Sequence, residues 1–170
     1  MRFMFIDYGK VIAYENTAMM RPPFAMVGKM MLKSNCREHH TTPETVEANG
    51  LKHLWLRDEE SKTAKQRLVV IHFHGGGYAI SDPWQDVELA NLTHSMIKDQ
   101  LREKHGLNVA VDVLLANYRK APEHPYPTPL DDCQVMYEHV LKSEGVRPKQ
   151  VVFSGDSAGA EMSITICMRL

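Results

Sequence analysis

Gly155-Asp156-Ser157-Ala158-Gly159 sets a serine between two glycines. The stretch stands between the strand-like "VVF" and the helix-like "AGAEMSITICMRL". A G-x-S-x-G sequence in that place predicts a strained strand-to-helix turn with Ser157 exposed at its apex. Gly155 and Gly159 are expected where strand and helix backbones approach closely around the serine. Ser157 would also stand at a helix N-terminus, where the dipole favours developing negative charge. The chemistry this suits is attack of a serine hydroxyl on a carbonyl carbon.

His74-Gly75-Gly76-Gly77 is the second candidate. A glycine-rich loop directly after a buried strand presents backbone N–H groups with no side chains in the way, and such donors hold an oxyanion. A purely structural turn accounts for the same residues. A phosphate loop does not, because G-x-x-x-x-G-K-[ST] and G-x-G-x-x-G are both missing. His74 is expected to order the loop by hydrogen bonding. His72 and His74 face one side of a strand, as a metal pair would. No further Cys, His or acid stands at a suitable spacing, so no metal site is expected.

The elements that must position these residues are clearest from Leu68 onward. "LVVIHF" is a continuous β-branched and aromatic run, as in a strand buried on both faces. Asp82, Pro83 and Gln85 open a helix as N-cap, first position and capping-box partner. Leu89, Leu92, Met96 and Leu101 mark one of its faces, and Gly106 ends it. "LNVAVDVLLANY" is the next buried strand. After the proline-rich "RKAPEHPYPTP", Thr128 caps a helix with Pro129 at its first position, and Gly145 ends it. "KQVVFSG" is another strand. Alternation of strand and helix predicts a mostly parallel α/β sheet with helices on both faces. Before Leu68, "LKHLWLRD" suggests an early strand over 51–58, and "TTPETVEANG" reads as a polar connection closed by Gly50.

Composition bounds the partners. The 170 residues fit one domain, and a net charge of −1 gives no reason to expect nucleic acid. The basic run 62–67 reads as a solvated turn. Three cysteines without a C-x-x-C favour reduced thiols. No signal-peptide core or membrane span stands out, so a cytoplasmic protein is the expectation. Seven of the 11 methionines fall within the first 31 residues. That segment fits a plastic gap-filler, a mobile cap over an apolar pocket, or a segment that touches lipid.

"HGGG" at 74–77, "YRKAPEHPYP" at 118–127 and "GDSAG" at 155–159 follow strands in this order. Together they closely resemble the hormone-sensitive-lipase-like esterases of the α/β-hydrolase superfamily. The resemblance implies that Ser157 accepts the acyl group and that the N–H groups of Gly76, Gly77 and Ala158 form the oxyanion hole. His74, Gly75, Gly155, Asp156 and Gly159 support them. Arg119 and Glu123 are structural. The family hydrolyses carboxylic esters and sometimes lipids, and needs no cofactor and no metal. Residues 1–50 are then expected to be cap-like or poorly defined, and 51–170 a partial α/β-hydrolase domain.

One departure stands out. In this fold the acid and the histidine follow the serine along the chain. Here only Glu161 follows Ser157 as a carboxylate, and no histidine does. The expectation is a truncated hydrolase with impaired turnover and an uncovered edge at the strand before Ser157. The alternative is a non-catalytic small-ligand-binding or regulatory member of the same fold.

Overall fold

A computed structural model describes residues 17–170. Helix α1 spans Thr17–Glu38. It is followed by strands β1 (Thr41–Ala48), β2 (Leu51–Asp58) and β3 (Arg67–Phe73), then helix α2 (Val87–His105) and strand β4 (Ala110–Ala116). Helix α3 (Thr128–Glu144), strand β5 (Val151–Gly155) and helix α4 (Ala158–Arg169) complete the order. The five strands form one sheet in the order β1-β2-β4-β3-β5. β1 and β2 run antiparallel to their neighbours, while β4, β3 and β5 are mutually parallel.

Alternation along the central strands splits the core into two layers. Val69, Ile71 and Phe73 face α3 and α4, where Leu130, Met136, Val140, Met162 and Ile166 close over them. Val70, Leu54, Leu56, Val113 and Leu115 face the opposite side, beneath Cys36, Trp84, Val87 and Ala90. Every residue of β4 is buried. The sheet is thus covered on both faces, as a parallel α/β arrangement requires.

Several local expectations change. "TTPETVEA" is a strand and not a connection, paired with β2 from Thr41↔Asp58 to Ala48↔Leu51. It lies at the sheet edge, where Pro43 and two glutamates are tolerated. A division of the chain at residue 50 falls inside this hairpin. Leu89, Leu92 and Met96 do share a face of α2, but it is the outer one, 46%, 44% and 66% exposed. The inner face carries Ala90, Asn91 and His94. Asn91 accepts from the Thr41 hydroxyl at 2.7 Å and donates to Asn35 at 2.6 Å. His94 Nδ1 donates to the Val111 carbonyl at 2.7 Å. Satisfied hydrogen bonds let these polar groups take the buried stripe.

The caps follow expectation in part. Asp82 accepts from the Trp84 N–H at 3.1 Å and starts a 3₁₀ turn, Pro83–Asp86, ahead of α2. Gln85 accepts from the Ser81 hydroxyl at 2.8 Å instead of closing a capping box. Thr128 is already helical and caps nothing. Gly106 and Gly145 are left-handed C-caps, as the sequence predicts. All three cysteines are unpaired. No described helix is long and apolar enough to cross a membrane.

Helix α1 carries Pro22 and Pro23, each lacking the N–H that a helix interior uses. Tertiary contacts hold it. Gly28 lies so close to the Trp84 carbonyl that any Cβ there would overlap it. Arg21 reaches inward to two loops described below.

Candidate active site

Phe73 and Gly155 are paired at the C-terminal ends of the parallel neighbours β3 and β5. The glycine loop starts at His74, the residue after Phe73, and the serine turn starts at Gly155 itself, so strand pairing alone brings the two together. This is the end of a parallel sheet where ligands gather in open α/β folds.

The serine turn is tight because two backbones meet there. A Cβ on Gly159 would overlap the Phe73 carbonyl, and one on Gly155 would stand 2.7 Å from the same oxygen. Only glycine allows the first turn of α4 to rest on β3. Gly159 N–H donates to the Asp156 carbonyl at 2.7 Å and closes the turn. Ser157 adopts φ 48 and ψ −116, a conformation that costs a non-glycine residue about 1–3 kcal/mol. Its side chain is exposed. No side chain among the described residues hydrogen-bonds to it.

The glycine loop is tied to this turn. Asp156 Oδ1 accepts from the Gly75 N–H at 2.8 Å. Gly76 has φ 102, and its carbonyl accepts from Ala79 and Ile80, both at 3.0 Å. The N–H groups of Gly76, Gly77 and Ala158 make no hydrogen bond among the described residues. They remain as donors on the two segments that Asp156 joins.

His74 organises the loop. Its ring is buried and stacks on Tyr118 with centroids 4.3 Å apart. Nδ1 donates to the Gly75 carbonyl at 2.7 Å, and the Tyr118 hydroxyl donates to the His74 carbonyl at 2.7 Å. Burial, with the nearby Lys120 cation, pushes its pKa down to about 3. The imidazole is therefore neutral at physiological pH. Burial also raises the Tyr118 phenol, and lowers the Lys120 ammonium to about 8.

His72 faces the other side of the sheet's end. Nδ1 lies 3.2 Å from the Ser154 hydroxyl and Nε2 lies 3.2 Å from Asp86 Oδ2. Asp156 Oδ1 is 3.9 Å from the same Nε2. The sequence shows no acid at a metal-like spacing, yet the fold gathers two carboxylates here, with donor atoms within 4.8 Å of one another. These atoms are engaged with each other, with Ser154 and with Gly75. The cluster reads as a polar support beneath the serine turn.

The proline loop braces the site from outside. Arg119 donates from its backbone to Asp132 at 2.9 Å and from its guanidinium at 2.6 Å. Burial works to raise the Asp132 carboxyl, but the Arg119 hydrogen bonds outweigh it and hold it below its ordinary value. Arg21, a residue the sequence gives no reason to single out, joins three elements. Its guanidinium donates to the Ala79 carbonyl at 2.8 Å, the Ala121 carbonyl at 2.8 Å and Glu123 at 2.9 Å. Ala121 N–H in turn donates to the Tyr78 carbonyl at 2.9 Å. Arg119 and Glu123 thus each hold a partner on another element, Asp132 of α3 and Arg21 of α1.

Comparison with known proteins agrees with this geometry. A family model described as the alpha/beta hydrolase fold matches residues 70–170. The chain belongs to that family. An esterase of Acinetobacter venetianus is 29% identical over 141 residues, covering 82% of this chain and 42% of the relative. Human hormone-sensitive lipase is 24% identical over 164 residues, covering 90% of this chain and 14% of the lipase. Among solved structures, a hyperthermophilic esterase from Pyrobaculum calidifontis superposes with a TM-score of 0.59 at 20% identity, over 90% of this chain and 46% of its own. An esterase/lipase from an uncultured bacterium gives 0.58 at 24% identity, over 82% and 44%. These structural likenesses show the fold. The chain spans less than half the length of each of these relatives.

Proposed function

We propose that this chain is the nucleophile-bearing part of a carboxylic ester hydrolase, acting on a small ester or a lipid. The observation that carries the reading is Ser157, exposed at φ 48 between β5 and α4. The glycine loop is bound to the same turn through Asp156. The alpha/beta hydrolase family match and the esterase relatives supply the substrate class.

In this mechanism Ser157 Oγ attacks the ester carbonyl carbon as its proton passes to a base. The carbonyl electron pair moves onto oxygen, and the N–H groups of Gly76, Gly77 and Ala158 receive the charge. The bond to the alcohol oxygen then breaks and the alcohol takes a proton. Water later attacks the acyl-serine and releases the acid. His74 is no base for Ser157, being buried, neutral and bound to the glycine loop. In this fold the base is a histidine placed later along the chain than the serine, and Ser157 depends on it for turnover. Loss of the histidine in a reference serine protease costs about 10⁶ in turnover, and an oxyanion hole with binding retains roughly 10³–10⁴ over water.

The test is covalent. A fluorophosphonate, followed by intact mass and peptide mapping, is expected to add once, at Ser157. Ser157→Ala is expected to abolish the addition. A chain that is folded by circular dichroism and stays unreactive even with imidazole supplied as an external base would overturn the reading and favour a ligand-binding protein.

A further inference from the structure

The outer face of α1 is apolar and uncovered among the described residues. Met19, Met26 and Met30 follow spacings of seven and four residues, which share one side of a helix. They are 75%, 62% and 75% exposed. Val27 and Met31 flank them and are exposed as well. The inner face already has its partners: Gly28 lies against Trp84, Cys36 is buried in the core and Arg21 is bound to two loops. The outer methionines are therefore not a mispacked core face. They are flexible thioethers that adapt to an irregular apolar surface.

Charge decides what that surface is. Lys29, Lys33 and Arg37 rise from the same exposed side, and Glu38 is the only acid in the helix. Lys29 stands over the Trp84 ring at 5.0 Å. Lys33 and Arg37 make no ion pair among the described residues. A dimer through this face would bring the cations of two copies onto one interface with few acids to oppose them, which disfavours association. An anionic bilayer offers the complement. Apolar side chains enter the acyl boundary while basic residues meet the headgroups.

We propose that α1 docks this protein onto anionic lipid surfaces through Met19, Met26 and Met30, with Lys33 and Arg37 binding the headgroups. The stripe begins beside the candidate site. Arg21, two residues after Met19, binds the Ala79 carbonyl in the loop that carries Gly76 and Gly77. The proposal does not depend on chemistry at Ser157.

Vesicle flotation tests it with the 170-residue chain, using phosphatidylcholine vesicles with and without about a third phosphatidylglycerol. The chain is expected to float with the anionic vesicles and to be released by salt. Lys33→Gln with Arg37→Gln is expected to lower partitioning roughly 25-fold, from about fivefold per cation near the surface. Met19→Ser with Met26→Ser and Met30→Ser is expected to abolish it. Leu89→Ser with Leu92→Ser and Met96→Ser, on the outer face of α2, leaves it unchanged. Failure to float overturns the proposal, as does flotation that survives the methionine variant. A dimer in light scattering that the methionine variant dissociates would assign the face to a second copy instead.

Discussion

Asp156 Oδ1 accepts a hydrogen bond from the Gly75 backbone N–H at 2.8 Å. One carboxylate thereby joins the serine turn to the loop that offers Gly76 and Gly77. Replacing it tests whether the two segments depend on each other. Asp156→Ala is expected to cost about 1 kcal/mol in urea unfolding, since the side chain is half exposed. It is also expected to speed hydrogen exchange at Gly75 and to slow fluorophosphonate addition at Ser157 about tenfold or more. Slower addition without faster exchange would mean that Asp156 acts on the serine directly.

Ser157 holds a backbone conformation that glycine adopts at little cost. Ser157→Gly is expected to raise unfolding stability by about 1 kcal/mol while abolishing labelling. Ser157→Ala is expected to abolish labelling without that gain. Equal stabilities for the two variants would show that the turn is unstrained.

His74 gives a pH signature. Its folded pKa, about 3, lies below the unfolded value of 6.5, so the unfolded chain binds more protons between those limits. Its contribution is complete above pH 6.5 and is lost as pH falls toward 3, at about 1.4 kcal/mol per pH unit. His53 and His94 are also lowered by burial and add to the fall. His74→Gln is expected to flatten the decline in urea midpoint between pH 7 and pH 5. A variant as steep as the parent would show that His74 is protonated in the fold.

Arg21 is expected to act through carbonyls more than through charge. Arg21→Ala should cost about 2 kcal/mol, because the Ala79 and Ala121 carbonyls lose a charged donor. The ion pair with Glu123 is far more exposed, at 46% for the acid, and contributes about 0.5 kcal/mol or less. A double-mutant cycle with Glu123→Gln in urea unfolding measures that coupling. A coupling as large as the Arg21→Ala loss would reverse the assignment.

The serine turn and the glycine loop are legible in the sequence because their constraints are local. Gly155, Gly159 and Gly76 mark places where a Cβ would strike backbone within a few ångströms. β3 and β4 are legible because they are apolar on both faces. β1 is not, because an edge strand with water on one side needs no apolar run, and Glu44 can pair with Arg57 across the strands. α1 is hidden by Pro22-Pro23 and by apolar residues on both of its faces. The cluster of His72, Asp86 and Asp156 comes from three separate elements, so no spacing along the chain announces it. The buried face of α2 misleads for a related reason. Asn91 and His94 look solvent-facing until their partners on α1, β1 and β4 arrive.

The pairing of Phe73 with Gly155 also bears on how the chain folds. The bond from Gly75 to Asp156 spans 81 residues, so the site cannot form early from nearby contacts. Closing so long a loop is an entropic toll met late, and parallel pairings of this kind slow folding. Ser157 reactivity then serves as a clock. Pulse labelling during refolding is expected to lag behind the formation of helix signal, because the serine turn takes its shape only when β5 settles against β3.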